Sequence, residues 1–234
     1  MIVTVPQTGS TSADLAARLR AGDLVREGEW LVADRQTAGR GRQGRDWLDG
    51  TGNFMGSTLV HPGPGDPPVH SLALMAGLAL QASVGACMPG DHAPLLKWPN
   101  DLMLGRAKLA GILLERQADA VVVGIGVNLA SAPDLPDRET ACVAQFAPAP
   151  ARDRFAETLA ESFARELERW RANGLETLIR RWLAVAHPPG TPLAVSAEPG
   201  LSGRFAGLDA TGALQLRLAD GTTQTINAGE VTFA

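Results

Sequence analysis

The chain has 234 residues, of which 45% are hydrophobic, and its formal net charge is −4 at pH 7. These values are typical of a globular protein with a substantial core, and they give no general attraction for nucleic acid, so no DNA partner is expected. The chain shows neither a signal peptide nor an apolar run long enough to span a membrane. Its two cysteines, Cys87 and Cys142, form no paired motif. Together these features predict a cytoplasmic protein without a membrane partner.

The first predicted element is a helix over residues 15–19, which follows a hydroxyl-rich segment, 9–12. Thr11 and Asp14 have nearly the spacing of a capping box, in which two side chains satisfy the free N–H groups at the start of a helix. The hydroxyl groups of this segment therefore have two open readings, as helix caps or as contacts to a ligand.

A predicted buried strand, 30–34, leads into a loop, 39–47, in which three arginines alternate with three glycines before a tryptophan. Glycines allow a loop to turn several backbone N–H groups into one concavity, and arginines add fixed positive charge that suits phosphate or carboxylate oxygens. The spacing matches neither the P-loop nor the dinucleotide-binding motif. The loop therefore predicts an anion site of another design, with an arginine-rich surface turn as the alternative.

The middle of the chain predicts a strand at 53–60, a buried helix at 69–87, a strand that runs into a turn over 95–101, and a hairpin made by 102–104 and 108–115. Lys97 and Lys108 lie in apolar strands, where an ammonium group must reach the surface or face an anion. Because Asn100 and Asp101 lie between these lysines, the group is interpreted as part of a site.

A strand at 121–129 presents a nearly bare face made of Gly124 and Gly126, which ends in the amide of Asn128. Glycines inside a strand indicate either close approach of a backbone or a flat ligand, or a β-bulge.

The last third of the chain begins with a proline-rich loop, 131–150, and two predicted amphipathic helices, 152–173 and 175–187. Four short β runs follow, at 193–196, 201–208, 214–218 and 223–226. We therefore predict a catalytic domain over 1–187 and a small β domain over 188–234.

The chain resembles the biotin–protein ligases in five segments, which occur in the family's order and at similar spacing. They are Gly-Ser-Thr-Ser at 9–12, the arginine loop with Gln36 and Trp47, Lys-Trp-Pro-Asn-Asp at 97–101, Lys-Leu-Ala-Gly-Ile-Leu-Leu-Glu at 108–115 and Gly-Ile-Gly-Val-Asn at 124–128. The resemblance implies an α+β fold, in which a mixed-sheet catalytic domain like that of class II aminoacyl-tRNA synthetases precedes an SH3-like β-barrel. The segment before the first motif leaves no room for the N-terminal DNA-binding helix-turn-helix of some relatives.

The resemblance also implies a two-step reaction. Biotin reacts with ATP and Mg²⁺ to give biotinyl-5′-AMP and pyrophosphate, and a lysine of the biotin carboxyl carrier protein of acetyl-CoA carboxylase then takes the biotinyl group. Exposed strand edges would allow a homodimer.

By the same resemblance, the catalytic residues are Lys108, Arg42 and Arg40. The biotin-binding residues are Ser10, Thr11, Gln36, Gly39, Arg40, Lys108, Gly111, Gly124 and Gly126. The ATP-binding residues are Arg42, Arg45, Trp47, Asn100, Asp101 and Asn128. Asp101 is also the predicted metal ligand.

The sequence departs from the family pattern in two places, and two alternative functions stay open. Ser12 stands where many relatives have asparagine, and no arginine closes the C-terminal module, so that module is expected to supply no catalytic residue. The first alternative is a lipoate or octanoate ligase or transferase of the same fold, and the second is a non-catalytic biotin sensor.

Overall fold

The computed structural model describes residues 1–196 and 200–234, which form a seven-stranded mixed sheet and a five-stranded antiparallel sheet. The larger sheet has the order β1-β2-β3-β7-β6-β5-β4, and only its β1–β2 pair is parallel among the described strands. Its strands are β1 (Ile2–Val5), β2 (Trp30–Ala33), β3 (Phe54–Val60), β4 (Leu95–Lys97), β5 (Asp101–Leu104), β6 (Ala107–Gln117) and β7 (Ala120–Val127).

Helices cover both faces of the larger sheet. They are α1 (Thr11–Arg20), α2 (Leu72–Gly85) and α3 (Arg152–Leu183). On β2, Trp30 and Val32 join the core beneath α2 and α3, whereas Leu31 joins the smaller core beneath α1. Because alternate side chains of a strand point to opposite faces, a sheet covered on both sides needs nearly continuous apolar strands, and β7 is one.

Helix α3 contains the break that the sequence predicts. Gly174 has φ 72° and ψ 179°, a conformation outside the helical region that glycine adopts without steric cost. The second segment ends at Leu183 rather than at residue 187, because 184–187 turn back to pair beside β4.

A buried ion pair joins the two segments of α3 across this break. Glu166 is 6% exposed and accepts hydrogen bonds from Arg181 Nη2 at 2.8 Å and from Arg169 Nη1 at 2.7 Å. Burial alone would raise the pKa of Glu166, but the bonds from Arg181 and Arg169 lower it overall below its ordinary value. The ionised carboxylate is therefore the form that the fold stabilises.

We expect Glu166→Gln to lower the free energy of unfolding by about 1–3 kcal/mol at pH 7, because the hydrogen bonds from Arg181 and Arg169 lose the negative charge that strengthens them. A depressed folded pKa stabilises the protein above the unfolded value of about 4.3, and this contribution is lost as the pH falls through the folded pKa. Urea unfolding at pH 7 and pH 3.5 measures the difference, with Glu161→Gln, an exposed position on the same helix, as the control. An equal loss at both pH values would contradict the role of the charge.

The five-stranded sheet has the order β11-β10-β9-β8-β12. Its strands are β8 (Pro192–Ser196), β9 (Leu201–Leu208), β10 (Leu214–Arg217), β11 (Thr223–Ile226) and β12 (Glu230–Phe233). One cluster of buried side chains joins this sheet to the larger one, with Val195 and Leu216 among its members. The domain division at 187/188 stays a prediction.

Two strands have no counterpart among the predicted elements, β1 and β12. Each has only four residues, which is too short for an apolar pattern to identify a strand by itself. Each forms because a partner strand, β2 or β8, supplies the ladder. Within residues 1–196 and 200–234, none of the helices is long and apolar enough to cross a membrane.

Candidate active site

A cleft of about 1170 Å³, counted out to its mouth, opens between the start of α1, the arginine loop, the centre of the larger sheet and β12. All the residues predicted for the site line it except Gly39. Gly39 instead closes the base of the loop, where its carbonyl accepts a hydrogen bond from the N–H of Trp47 at 2.9 Å. Segments far apart in sequence therefore meet in the way that the motifs require.

Of the hydroxyl groups at the start of α1, one caps the helix and another belongs to a buried hydrogen-bonded group in the cleft. Ser10 is the N-cap of α1, and its Oγ accepts from the N–H of Ala13 at 3.4 Å. The expected cap at Thr11 is thus displaced by one residue. The N–H of Thr11 donates to Gln36 Oε1 at 2.7 Å, and its hydroxyl lies 2.7 Å from that of Ser57. Thr11 and Gln36 are consequently fixed as one polar group in a dry part of the cleft.

Ser57, a fully buried residue of β3, was missed by the sequence reasoning. Its hydroxyl lies 2.9 Å from that of Ser12, so Ser12 occupies a structural position as well as a place in the motif. The available signal was the pair Ser57-Thr58 inside an otherwise apolar strand. Gly124 lies opposite Ser57, and a Cβ atom there would be 2.5 Å from Ser12 Oγ, so the space left by this glycine is taken by Ser12.

The bare face of β7 receives the indole of Trp47. A Cβ atom on Gly126 would overlap the ring, and one on Gly111 would lie 3.3 Å from it. The predicted close approach at these glycines is therefore made by a side chain of the arginine loop. Among the described residues, the buried indole N–H of Trp47 has no hydrogen-bond partner, so one donor at the cleft is free.

The arginine loop is folded by two residues with left-handed backbone conformations, Gln43 (φ 56°) and Gly44 (φ 74°). The N–H of Gly41 donates to the carbonyl of Arg45 at 2.7 Å, which closes the turn. This turn directs its arginines toward the cleft from one side.

Two arginines of the loop contact residues from the middle and the end of the chain. Arg42 donates to Asn100 Oδ1 at 3.0 Å and to the carbonyl of Gly229 at 3.2 Å. Arg45 donates from both terminal nitrogens to the carboxylate of Glu230. The sequence did not indicate Glu230, because its contact depends on how the C-terminal sheet packs against the loop.

Two lysines flank the carboxylate of Asp101, as their apolar surroundings predicted. Lys108 Nζ lies 2.6 Å from Asp101 Oδ1, and Lys97 Nζ lies 2.9 Å from Oδ2. Burial would raise the pKa of Asp101, but Lys108 and Lys97 hold it down at about 2. Asp101 is therefore ionised at neutral pH and fixes the ammonium group of Lys108 at the cleft.

A magnesium ion does not fit the protein side chains alone. The carboxylate of Asp101 is already held between two ammonium groups, and the described residues contain no group of three His, Cys, Asp or Glu side chains that could hold a metal ion. Mg²⁺ commonly binds through substrate phosphates with few protein ligands. The role of Asp101 as a metal ligand stays a prediction.

Asn128 is buried, and its amide nitrogen donates to the carbonyl of Ala141 at 3.1 Å. It lines the cleft and also ties β7 to the loop before α3. Its predicted contact with the nucleotide stays a prediction.

The cleft combines a buried hydrogen-bonding pocket with six cationic side chains, which defines a site for anionic substrates. The sequence profile of the biotin/lipoate A/B protein ligase family matches residues 8–129, and that of the biotin protein ligase C-terminal domain matches 199–233. The chain belongs to the biotin/lipoate A/B protein ligase family. The family predicted from the motifs is therefore confirmed.

The chain is similar to two curated relatives over nearly its whole length. It is 38% identical to the biotin–[acetyl-CoA-carboxylase] ligase of Paracoccus denitrificans, covering 97% of this chain and 98% of the relative. It is 36% identical to the protein of the same name from Mycobacterium tuberculosis, covering 97% and 86%. The solved biotin protein ligase of Aquifex aeolicus in complex with biotin and ATP superposes with a TM-score of 0.87 at 23% identity, covering 100% of this chain and 99% of that chain. The predicted fold class is confirmed.

Proposed function

We propose that the protein is a biotin–protein ligase, which activates biotin with ATP and transfers it to a lysine of the biotin carboxyl carrier protein of acetyl-CoA carboxylase. The observation that carries the proposal is the convergence of Lys108, Arg42 and Arg45 on the same cleft as the Thr11–Gln36 pair. Acyl-adenylate formation brings a carboxylate and a triphosphate together, so it needs cations beside a pocket for the acid. The names of the two relatives support the choice of acid and acceptor.

In the first step, a carboxylate oxygen of biotin attacks the α-phosphorus of ATP, and pyrophosphate leaves. Lys108 bridges the carboxylate and the α-phosphate, while Arg40 and Arg42 hold the acid and the reacting phosphate, and Arg45 meets the pyrophosphate end. Phosphoryl transfer depends on positioning and charge neutralisation, so no enzyme nucleophile is required. Mg²⁺ bound to the phosphates of ATP would neutralise part of their charge.

In the second step, the amine of the carrier lysine attacks the acyl carbon of biotinyl-5′-AMP, AMP leaves with the bonding electron pair, and the amine loses a proton. Lys108 stabilises the phosphate charge that develops on AMP. The arginine loop covers the anhydride, with Trp47 stacking on adenine, and so limits hydrolysis.

The pocket for the ureido ring is formed by Ser10, Thr11 and Gln36. All three are buried, and a buried polar group needs a partner, so a ligand that supplies matched donors and acceptors binds in preference to an apolar chain. The ring system lies against Gly111, Gly124 and Gly126, which requires the indole of Trp47 to leave the place it takes beside Gly111 and Gly126.

A second candidate function is ligation of lipoate or octanoate, since the matching family profile covers both biotin and lipoate enzymes. The match to the biotin ligase C-terminal domain favours biotin. A non-catalytic sensor is disfavoured, because a binder needs no cation at the pyrophosphate end.

Acid-dependent pyrophosphate exchange tests the proposal directly. Purified protein with Mg·ATP and labelled pyrophosphate is incubated separately with biotin, lipoate and octanoate. We expect exchange with biotin alone. Exchange with lipoate or octanoate instead would support the second candidate function, and no exchange with any acid would support the sensor.

The proposal also includes the carrier protein as acceptor and the cytoplasm as the location of the enzyme. Intact-mass measurement of a carrier domain, before and after incubation with biotin and ATP, would show a single added biotinyl group, and no added mass would contradict the acceptor. Both cysteines are free, and the reaction consumes ATP, which together support the cytoplasm. A fluorescent fusion found outside the cytoplasm would contradict that location.

A further inference from the structure

The end of the C-terminal module packs against the cationic part of the cleft. Arg42 donates to the carbonyl of Gly229, Arg45 to the carboxylate of Glu230, and Lys97 to the carbonyl of Val231 at 2.6 Å. Among these three contacts only the one at Glu230 pairs two charges. The module therefore neutralises one specific cation of the site.

The geometry of the Arg45–Glu230 contact is that of a phosphate contact. Both terminal nitrogens of the guanidinium donate to the two carboxylate oxygens, and this fork binds a carboxylate or a phosphate group in the same way. One guanidinium cannot present the same two donors to both groups at once. A triphosphate that binds through these two donors of Arg45 must therefore displace Glu230.

We propose that Glu230 is a positioning residue for the adenylation step, which holds Arg45 and with it the arginine loop until the phosphates of ATP replace the carboxylate. This inference rests on the proposed function. The two side chains are 38% and 24% exposed, and an ion pair so open to water is weak enough to exchange for a more highly charged partner. Arg42, by contrast, bonds to neutral acceptors, so no carboxylate competes with ATP for its charge.

The proposal predicts two effects of Glu230→Gln, a lower KM for ATP and faster cleavage of the arginine loop by trypsin. Without the competing charge, the KM for ATP falls about two- to fivefold, while the KM for biotin stays as in the wild type. Without the Arg45–Glu230 ion pair, the loop is less restrained, and trypsin cleaves after its arginines faster when no nucleotide is present. A purely structural role of Glu230 would instead raise the KM for ATP.

The experiment measures pyrophosphate exchange over a range of ATP concentrations and, separately, limited trypsin digestion followed by mass spectrometry. Glu161→Gln, which removes an exposed carboxylate from α3, controls for net charge. The double variant Arg45→Ala/Glu230→Gln is compared with Arg45→Ala alone, because the effect of Glu230 on ATP should vanish when Arg45 is absent.

The outcomes separate this inference from the function on which it rests. An unchanged or raised KM for ATP in Glu230→Gln, an effect that persists in the Arg45→Ala background, or unchanged cleavage of the loop would overturn it. If the wild type shows no exchange with any acid, the proposed function fails, and the rate of loop cleavage, which needs no activity, still decides whether Glu230 holds the loop.

Discussion

Replacing Lys108 by alanine is expected to slow adenylate synthesis about 10²- to 10³-fold, because the cation that bridges the carboxylate and the α-phosphate is lost. The fold should persist, since Asp101 keeps Lys97 as an ion-pair partner at 2.9 Å. Pyrophosphate exchange measures the first step. Transfer from synthetic biotinyl-5′-AMP to the carrier measures the second step, in which Lys108 stabilises the departing AMP, so we expect a loss there as well.

Lys97→Met is the matched control for this variant. It also removes one ammonium group from Asp101, but it leaves the Lys108–Asp101 pair in place at 2.6 Å. We expect a smaller loss of exchange than in Lys108→Ala. A wild-type rate in Lys108→Ala, measured on protein with an unchanged unfolding temperature, would remove Lys108 from the catalytic set.

Replacing Arg42 by glycine is expected to release biotinyl-5′-AMP before transfer. Arg42 links the loop to Asn100 on one side and to Gly229 on the other, so its loss frees the loop that covers the anhydride. Free adenylate acylates exposed amines without selection. The variant should therefore biotinylate lysines of an unrelated protein added in excess, at least about tenfold faster than the wild type.

Streptavidin blotting of the unrelated protein measures this labelling, with a quenching amine added to confirm a diffusing species. Arg116→Ala is the control, because the exposed Arg116 side chain bonds only to the carbonyl of Ala118 among the described residues. Labelling that stays confined to the carrier in Arg42→Gly would show that shielding of the adenylate does not depend on this arginine.

Local chemistry made much of the site predictable. A run of glycines and arginines favours anion binding, and a lysine in an apolar strand must reach the surface or face an anion. Lys108 and Asp101 could therefore be placed together from a seven-residue separation, and the structure joins them through a hairpin at 2.6 Å. The break in α3 at Gly174 was also predictable from the local sequence, since it depends on the conformational freedom of one residue.

The sequence by itself determined the family, the order of the motifs and many of the residues that line the cleft. Only the tertiary structure decided which side chains fill the spaces beside Gly124 and Gly126, and that Glu230 pairs with Arg45 across 185 positions of the chain. Such contacts depend on strand register and on the packing of one sheet against another. Neither leaves a periodic signal in the residues involved, because a single side chain that meets a distant partner has no local pattern to repeat.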